Sequence, residues 1–150
     1  MPYYDRTAWH AGSDDFPADP STEAGGTHIG LFLSWVIMCN LESLELKSYS
    51  QEGLQKIRSR QITGREFLVK YCDEKFSESN LNEEGNRLAK FYYATNLYFE
   101  DYEATLAKDL AIIYEVADSW SSFDKIAPIL DQRFLAWKKL SSPKRRKIWR

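Results

Sequence analysis

Apolar side chains recur every three or four residues over most of this 150-residue chain, which is the spacing of a helix face. The stretch 28–39 is apolar on nearly every side, which is typical of a helix in the middle of a bundle. Thr27 can cap this helix, and we expect it to end near Asn40. A second stripe predicts one long helix with an aromatic face, interrupted near Asn96: Leu88, Phe91, Tyr92, Thr95, Tyr98, Phe99, Tyr102 and Leu106.

A third stripe predicts a C-terminal helix that carries Phe123, Ile126, Leu130, Phe134 and Trp137. Ser121 or Ser122 is the expected cap, and Pro128 then has to lie in the opening turn, because proline breaks a helix interior.

Shorter helices are expected between these stripes. Ser50 can cap one of them, and Thr63 with Glu66 has the spacing of a capping box. The apolar run 110–116 fits a helix or a strand equally well. Together the patterns predict an all-α fold, a single-domain bundle of about five helices.

The first 26 residues lack periodicity and are rich in glycine, proline, serine and aspartate. They predict an irregular N-terminal arm over 1–26 that packs on a helical domain over 27–140. A basic tail follows over 141–150.

Charge divides the chain unevenly. Residues 1–132 carry all 22 acidic side chains and 12 of the 20 basic ones, and the eight remaining bases follow Asp131. An acidic body repels nucleic acid and attracts basic proteins. The basic end is typical of a solvated tail, although it also permits a nucleic-acid regulator whose binding depends steeply on salt.

The two cysteines, Cys39 and Cys72, lie in apolar stretches and are expected to be free thiols in a reducing compartment. The sequence has no signal-peptide pattern at its start and no apolar run long enough to cross a membrane. We therefore expect a cytoplasmic protein.

The candidates for catalysis are few. His10 and His28 could combine with Asp14 or Asp15 as metal ligands or as an acid–base set, which would make a small hydrolase. Their spacing matches no familiar metal motif, and a histidine in a first helical turn usually makes local hydrogen bonds. The preferred interpretation therefore assigns no catalytic residue, no metal and no cofactor.

Acidic side chains offer a different kind of site, a docking surface for a basic partner. The candidates are Asp14, Asp15, Glu100, Asp101, Glu103, Glu115 and Asp118. Three arginines, Arg58, Arg60 and Arg65, lie around a turn and are expected to pair with nearby acids rather than with phosphate.

Several motifs in order resemble a family of uncharacterised bacterial proteins, a domain of unknown function. They are Trp9-His10, Asp15-Phe16-Pro17, Gly25-Gly26-Thr27-His28-Ile29-Gly30, Ile62-Thr63-Gly64-Arg65-Glu66-Phe67-Leu68, Asp101-Tyr102-Glu103 and the block from Trp120 to Trp137. The resemblance runs from Tyr4 to Lys138 and supplies no catalytic residues.

What the resemblance implies is a role near bacterial toxin systems. Small, acidic, helical proteins of this kind are often immunity proteins, which bind and block a toxin delivered by a type VI or related secretion system. The leading hypothesis is thus a non-enzymatic inhibitor of a cognate toxin with a basic binding face. The alternative is the metal-dependent or acid–base hydrolase at His10, His28 and Asp14 or Asp15.

Overall fold

Helices make up most of the computed structural model, which describes residues 3–11 and 22–141. The α-helices in these ranges are α1 (Thr7–Ala11), α2 (Thr27–Met38), α3 (Leu44–Arg58), α4 (Gly64–Cys72), α5 (Glu83–Tyr92), α6 (Leu97–Leu106) and α7 (Trp120–Ser141). Two short strands, β1 (Tyr3–Arg6) and β2 (Lys75–Ser77), pair antiparallel. The expected mostly helical fold is confirmed, with seven helices in place of about five.

Helix α2 lies at the centre of the bundle, as its apolar sequence predicts. Every residue from Thr27 to Ile37 is buried. The ring of Phe32 packs against Tyr93 and Tyr98, with centroid separations of 5.0 and 5.1 Å. This aromatic layer fills the space between α2 and the α5–α6 pair.

Two glycines allow α2 and α4 to approach with their backbones in contact. A methyl group on Gly30 would lie 2.7 Å from the Cα atom of Arg65, and one on Gly64 would lie 2.6 Å from the carbonyl carbon of Gly30. Neither glycine has a positive φ, so it is the lack of a side chain, and not the backbone conformation, that explains glycine at these two positions. The close approach fixes α4 against the first turn of α2.

Among helices α2 to α4, one expected cap is found and two are not. Thr63 and Glu66 form the expected capping box at the start of α4. Thr27 is the first residue of α2 and makes no cap, because Gly26 occupies the N-cap position. Ser50 lies at a kink inside α3, whose N-cap is Ser43.

The second half of the chain also departs from the expected boundaries. The aromatic stripe is split into α5 and α6, and Asn96 adopts a left-handed conformation at the break, as expected. The run 110–116 contains only a 3₁₀ turn, Ile113–Glu115.

Helix α7 begins earlier than predicted. Ser119 caps it, accepting a hydrogen bond from Ser122 N. Pro128 therefore lies in the helix interior, and the prediction that it belongs to the opening turn is wrong. The side chains of Ile126 and Leu130 are almost completely buried on either side of it, so core packing maintains the helix.

The arm predicted as irregular contains regular elements. Residues 3–11 form β1 and α1, and Thr22–Gly26 form a 3₁₀ turn that leads directly into α2. Residues 12–21, with Asp14 and Asp15, lie outside the described residues, as does the tail from residue 142 onward.

The predicted ion pairs and free thiols are confirmed. Arg58 pairs with Glu42, Arg60 with Asp124 and Arg65 with Asp118. Both cysteines are free. Burial raises the pKa of Cys39 to about 11 and that of Cys72 to about 12. Among the described residues, no helix combines the length and the apolar character needed to cross a membrane.

The contact between α2 and α4 leads to a stability prediction. Gly30→Ala should lower the free energy of unfolding by about 2–3 kcal/mol, because the added methyl group must displace the backbone of α4. Urea denaturation measures the change. Gln55→Ala, an exposed substitution on α3, is the control and should leave stability nearly unchanged. A Gly30→Ala protein as stable as the control would contradict the close contact.

Candidate metal centre

Three side chains converge where the N-terminal segment meets the start of α2. The Nε2 atom of His10 lies 2.6 Å from Asp5 Oδ1, and the Nε2 atom of His28 lies 2.9 Å from Asp5 Oδ2. The two Nε2 atoms are 3.1 Å apart. A carboxylate and two imidazole nitrogens thus point at one another across a very small space.

A β-bulge positions the carboxylate. Tyr3 pairs with Ser77 but Asp5 pairs with Phe76, so β1 carries one extra residue at this point. Such a bulge changes the direction of the side chains that follow it. At the bulge, the ring of Tyr4 packs on Phe76. The next side chain, Asp5, is buried and its carboxylate faces His28 of α2.

One glycine, Gly25, allows the two histidines to lie close together. His10 lies in the last turn of α1, and α1 packs on the 3₁₀ turn that precedes α2. A methyl group on Gly25 would lie 2.9 Å from Thr7 O and 3.1 Å from His10 Cβ. Glycine at this position therefore permits α1 to lie close enough for His10 to reach His28.

A layer of tyrosines holds the three side chains in place. Tyr93 donates a hydrogen bond of 2.6 Å to Asp5 Oδ2, and the hydroxyl of Tyr114 lies 2.8 Å from His10 Nδ1. Tyr98 donates to the backbone carbonyl of His28 at 2.6 Å. Such outer partners fix the orientation of ligand side chains in metal sites.

Burial differs among the three residues. The side chains of Asp5 and His28 are 4% and 2% exposed, whereas that of His10 is 15% exposed. Any ion or small molecule that reaches this centre therefore approaches on the side of His10.

The charge states follow from the surroundings. Burial alone would raise the pKa of Asp5, but hydrogen bonds and charge from His10 and His28 outweigh it and hold the pKa well below its usual range. Burial lowers the pKa of His28, and the hydrogen bond to Asp5 opposes this only in part. Burial also raises the pKa of Tyr93 well above its usual value. At neutral pH the centre thus holds an anionic carboxylate, a neutral His28 and a protonated phenol.

This set of atoms can bind a metal ion. One ligand atom from each of Asp5, His10 and His28 lies within 4.8 Å of the others. An ion about 2.0–2.2 Å from each of three ligands would hold them about 2.8–3.1 Å apart at right angles and about 3.3–3.6 Å apart in the tetrahedral geometry of zinc. Of the observed separations, 2.9 and 3.1 Å fit the right-angle spacing and 2.6 Å is shorter, so a tetrahedral ion would move the three atoms apart. Two histidines and one carboxylate are ligands for zinc and for non-haem iron.

The sequence identified only part of this centre. His10 and His28 were candidates, but their acidic partner among the described residues is Asp5. Asp5 was missed because a four-residue strand with a bulge leaves no periodic signal. Tyr93 was missed because it lies in an aromatic stripe typical of core packing, and Tyr114 because the run around it was ambiguous.

The five predicted docking acids that lie within the described residues fall into two groups. Asp101 accepts hydrogen bonds from Arg133 and Tyr92, and Asp118 accepts from Thr63 and pairs with Arg65, so both stabilise the fold. Glu100, Glu103 and Glu115 are exposed. The partner-binding role of all five remains a prediction.

Three cavities among the described residues are lined by side chains other than those of Asp5, His10 and His28. One of about 410 Å³ lies between α3 and α4, and one of about 560 Å³ adjoins β1 and α1. The third, of about 300 Å³, lies between the end of α6 and the 3₁₀ turn Ile113–Glu115, and Tyr114 is part of its wall. Tyr114 is thus shared by this cavity and the shell around His10.

The chain belongs to the family described as domain of unknown function DUF7832, whose model matches residues 3–116. This confirms the resemblance to an uncharacterised domain family over that range, which ends before the block from Trp120 to Trp137. All the side chains of the centre lie within the matched range. No curated protein and no solved structure matches the chain.

The lowered pKa of His28 predicts how stability depends on pH in the metal-free protein. As the pH falls below about 6.5, the unfolded chain protonates this histidine before the folded protein does. The contribution of His28 is therefore complete above that pH and is lost as the pH falls toward the lower folded pKa. Asp5 adds a separate loss below about pH 3.9.

Urea denaturation at pH 7.5 and pH 5.5, with chelator present, measures the first effect. His28→Gln keeps a donor for Asp5 but cannot titrate, so its stability should change less between the two pH values. An equal change in the variant and the parent protein would show that His28 does not titrate differently on unfolding.

Proposed function

We propose that this protein is a metal-dependent hydrolase that holds one divalent transition-metal ion at Asp5, His10 and His28. The observation that carries the proposal is the convergence of one carboxylate and two imidazole Nε2 atoms, all within 4.8 Å of one another. This replaces Asp14 or Asp15 by Asp5 in the hypothesis drawn from the sequence.

Hydrogen bonding around the centre supports this role. The hydroxyl of Tyr114 can accept a hydrogen bond from His10 Nδ1–H, and in that tautomer the Nε2 lone pair is free to bind an ion. His28 is neutral at pH 7 because burial lowers its pKa, and a neutral imidazole is the ligand form. Asp5 is anionic and lies between the two.

The number of ligands supports hydrolysis as the reaction class. Zinc sites with three protein ligands leave a position for the attacking water, whereas structural zinc sites are closed by four. The partial exposure of His10 leaves a path for water to this position. An ion there would also polarise the carbonyl or phosphoryl oxygen under attack.

Metal binding tests the proposal directly. Chelator-treated protein should bind one Zn²⁺ or Mn²⁺ per chain in calorimetry. Asp5→Asn and His10→Gln should weaken binding by more than the roughly 10–100-fold that a lost outer partner costs. His10→Gln changes the more exposed ligand and is the variant expected to fold well.

Asp73→Asn serves as the control, because this aspartate is exposed near β2. It should bind metal as the parent protein does. Stoichiometric binding that survives in both ligand variants would contradict the site. With binding established, hydrolysis of p-nitrophenyl esters or phosphodiesters that depends on added metal tests the reaction class.

The exposed acids of α6 favour a second candidate, the immunity protein that neutralises a toxin. Glu100 and Glu103 lie three residues apart on α6, and Glu115 is the last residue of the 3₁₀ turn that follows. None of the three forms an ion pair with another described residue. An acidic face of this kind complements the basic cleft of a toxin that acts on nucleic acid.

Charge reversal tests this candidate. A stoichiometric partner captured from the native cell extract and then purified should lose affinity for Glu100→Lys and Glu103→Lys by about tenfold or more at low salt. Glu45→Lys, an equal charge change on α3, should retain binding. Equal affinity of all three variants would exclude the α6 face as the binding surface.

A further inference from the structure

The cavity between the end of α6 and the turn at Ile113–Glu115 has the form of a ligand site. Its volume of about 300 Å³ is at the small end of the range for ligand cavities. Five of the seven side chains that line it are aliphatic, Leu110, Ile112 and Ile113 among them, while more of its open surface is polar than apolar. Leu110 is 39% exposed, so apolar surface is left open at this site.

One charged side chain lines this cavity, and it is acidic. Glu103 projects from the last turns of α6 and is exposed, and it forms no ion pair with any described residue. Glu115 lies nearby, because its carboxylate accepts a hydrogen bond of 3.1 Å from the backbone N–H of Ala111 in the wall. Lys108 and Asp109 belong to the same loop but do not line the cavity.

Aliphatic walls with a carboxylate at the edge match a specific ligand chemistry. An alkyl chain is stabilised by contact with the walls, and a cation at its end pairs with the acid. Anionic ligands are disfavoured, because no base lines the cavity. A lysine or arginine side chain has both parts in the required order.

We propose that this cavity binds an alkylammonium or alkylguanidinium group, with Glu103 as the counter-ion. The site is independent of the metal proposal, since it uses none of the three ligand residues. For the toxin-binding candidate it names the contact, a basic side chain of the partner that inserts between α6 and the following turn.

The cavity also communicates with the centre through one side chain. Tyr114 forms part of the cavity wall, and its hydroxyl lies 2.8 Å from His10 Nδ1. A ligand that moves Tyr114 must therefore change the environment of the His10 ring. This contact provides a second readout that is separate from binding itself.

The test uses metal-free full-length protein labelled with ¹⁵N. Titration with n-butylguanidine and n-butylamine should shift the amide signals of residues 103–114 in a saturable way, and n-butyrate should not. Glu103→Gln should bind at least tenfold more weakly. Asp109→Asn, the same kind of charge change in the same loop, should bind as the parent protein does.

Two further measurements distinguish a protein side chain from a small molecule as the ligand, and test the contact between Tyr114 and His10. A short peptide with one arginine, capped at both ends, should shift the same signals if the natural ligand is a protein side chain. Saturation by the free guanidine alone would assign the site to a small molecule. The His10 ring signals should respond in the parent protein and respond less in Tyr114→Phe.

Equal binding of butyrate, or unchanged affinity in Glu103→Gln, would overturn the proposal. Neither outcome bears on the metal centre, whose occupancy is measured by calorimetry with other variants. The absence of any saturable shift with the cationic probes at millimolar concentration would overturn it as well.

Discussion

The buried carboxylate of Asp5 is the group on which the N-terminal half of the structure depends. An anion removed from water is costly unless charged or hydrogen-bonding groups surround it. Here its two oxygens receive hydrogen bonds from the backbone of Arg6, the phenol of Tyr93 and the imidazoles of His10 and His28. Those partners come from β1, the C-cap of α5, α1 and α2, so burying one charge requires four parts of the fold to meet.

Close backbone packing makes that meeting possible. Gly25 removes the side chain that would separate α1 from the turn before α2, and Gly30 does the same between α2 and α4. Both lie within six residues of each other around His28. The same short stretch therefore fixes the first turn of the central helix on two sides. Close packing holds this stretch rigidly. A set of metal ligands needs the same rigidity, because metal sites tolerate only small errors in ligand position.

The sequence predicts the fold class because helical spacing is a local property. The capping box at Thr63 and the break at Asn96 were also predictable, since each depends on neighbours within a few residues. The position of Pro128 was not, because packing of Ile126 and Leu130 against other helices outweighs the local cost of proline. Asp5, the acidic residue of the candidate site, was not predictable for a related reason. Two of the partners of Asp5, His28 and Tyr93, lie 23 and 88 positions away in the sequence and reach it only in the folded protein.

The proton requirements of the centre connect its stability with the proposed ion. Without metal, the two Nε2–H groups are the natural donors to the Asp5 oxygens, and the short separation of 3.1 Å between the nitrogens leaves no room for two positive charges. A divalent ion held by Asp5, His10 and His28 would take the place of those protons. The low pKa of His28 keeps this ring neutral, which reduces the proton competition that an ion must overcome. The same burial that destabilises the fold in acid therefore prepares the ligand, and the two effects cannot be separated without moving His28 to the surface.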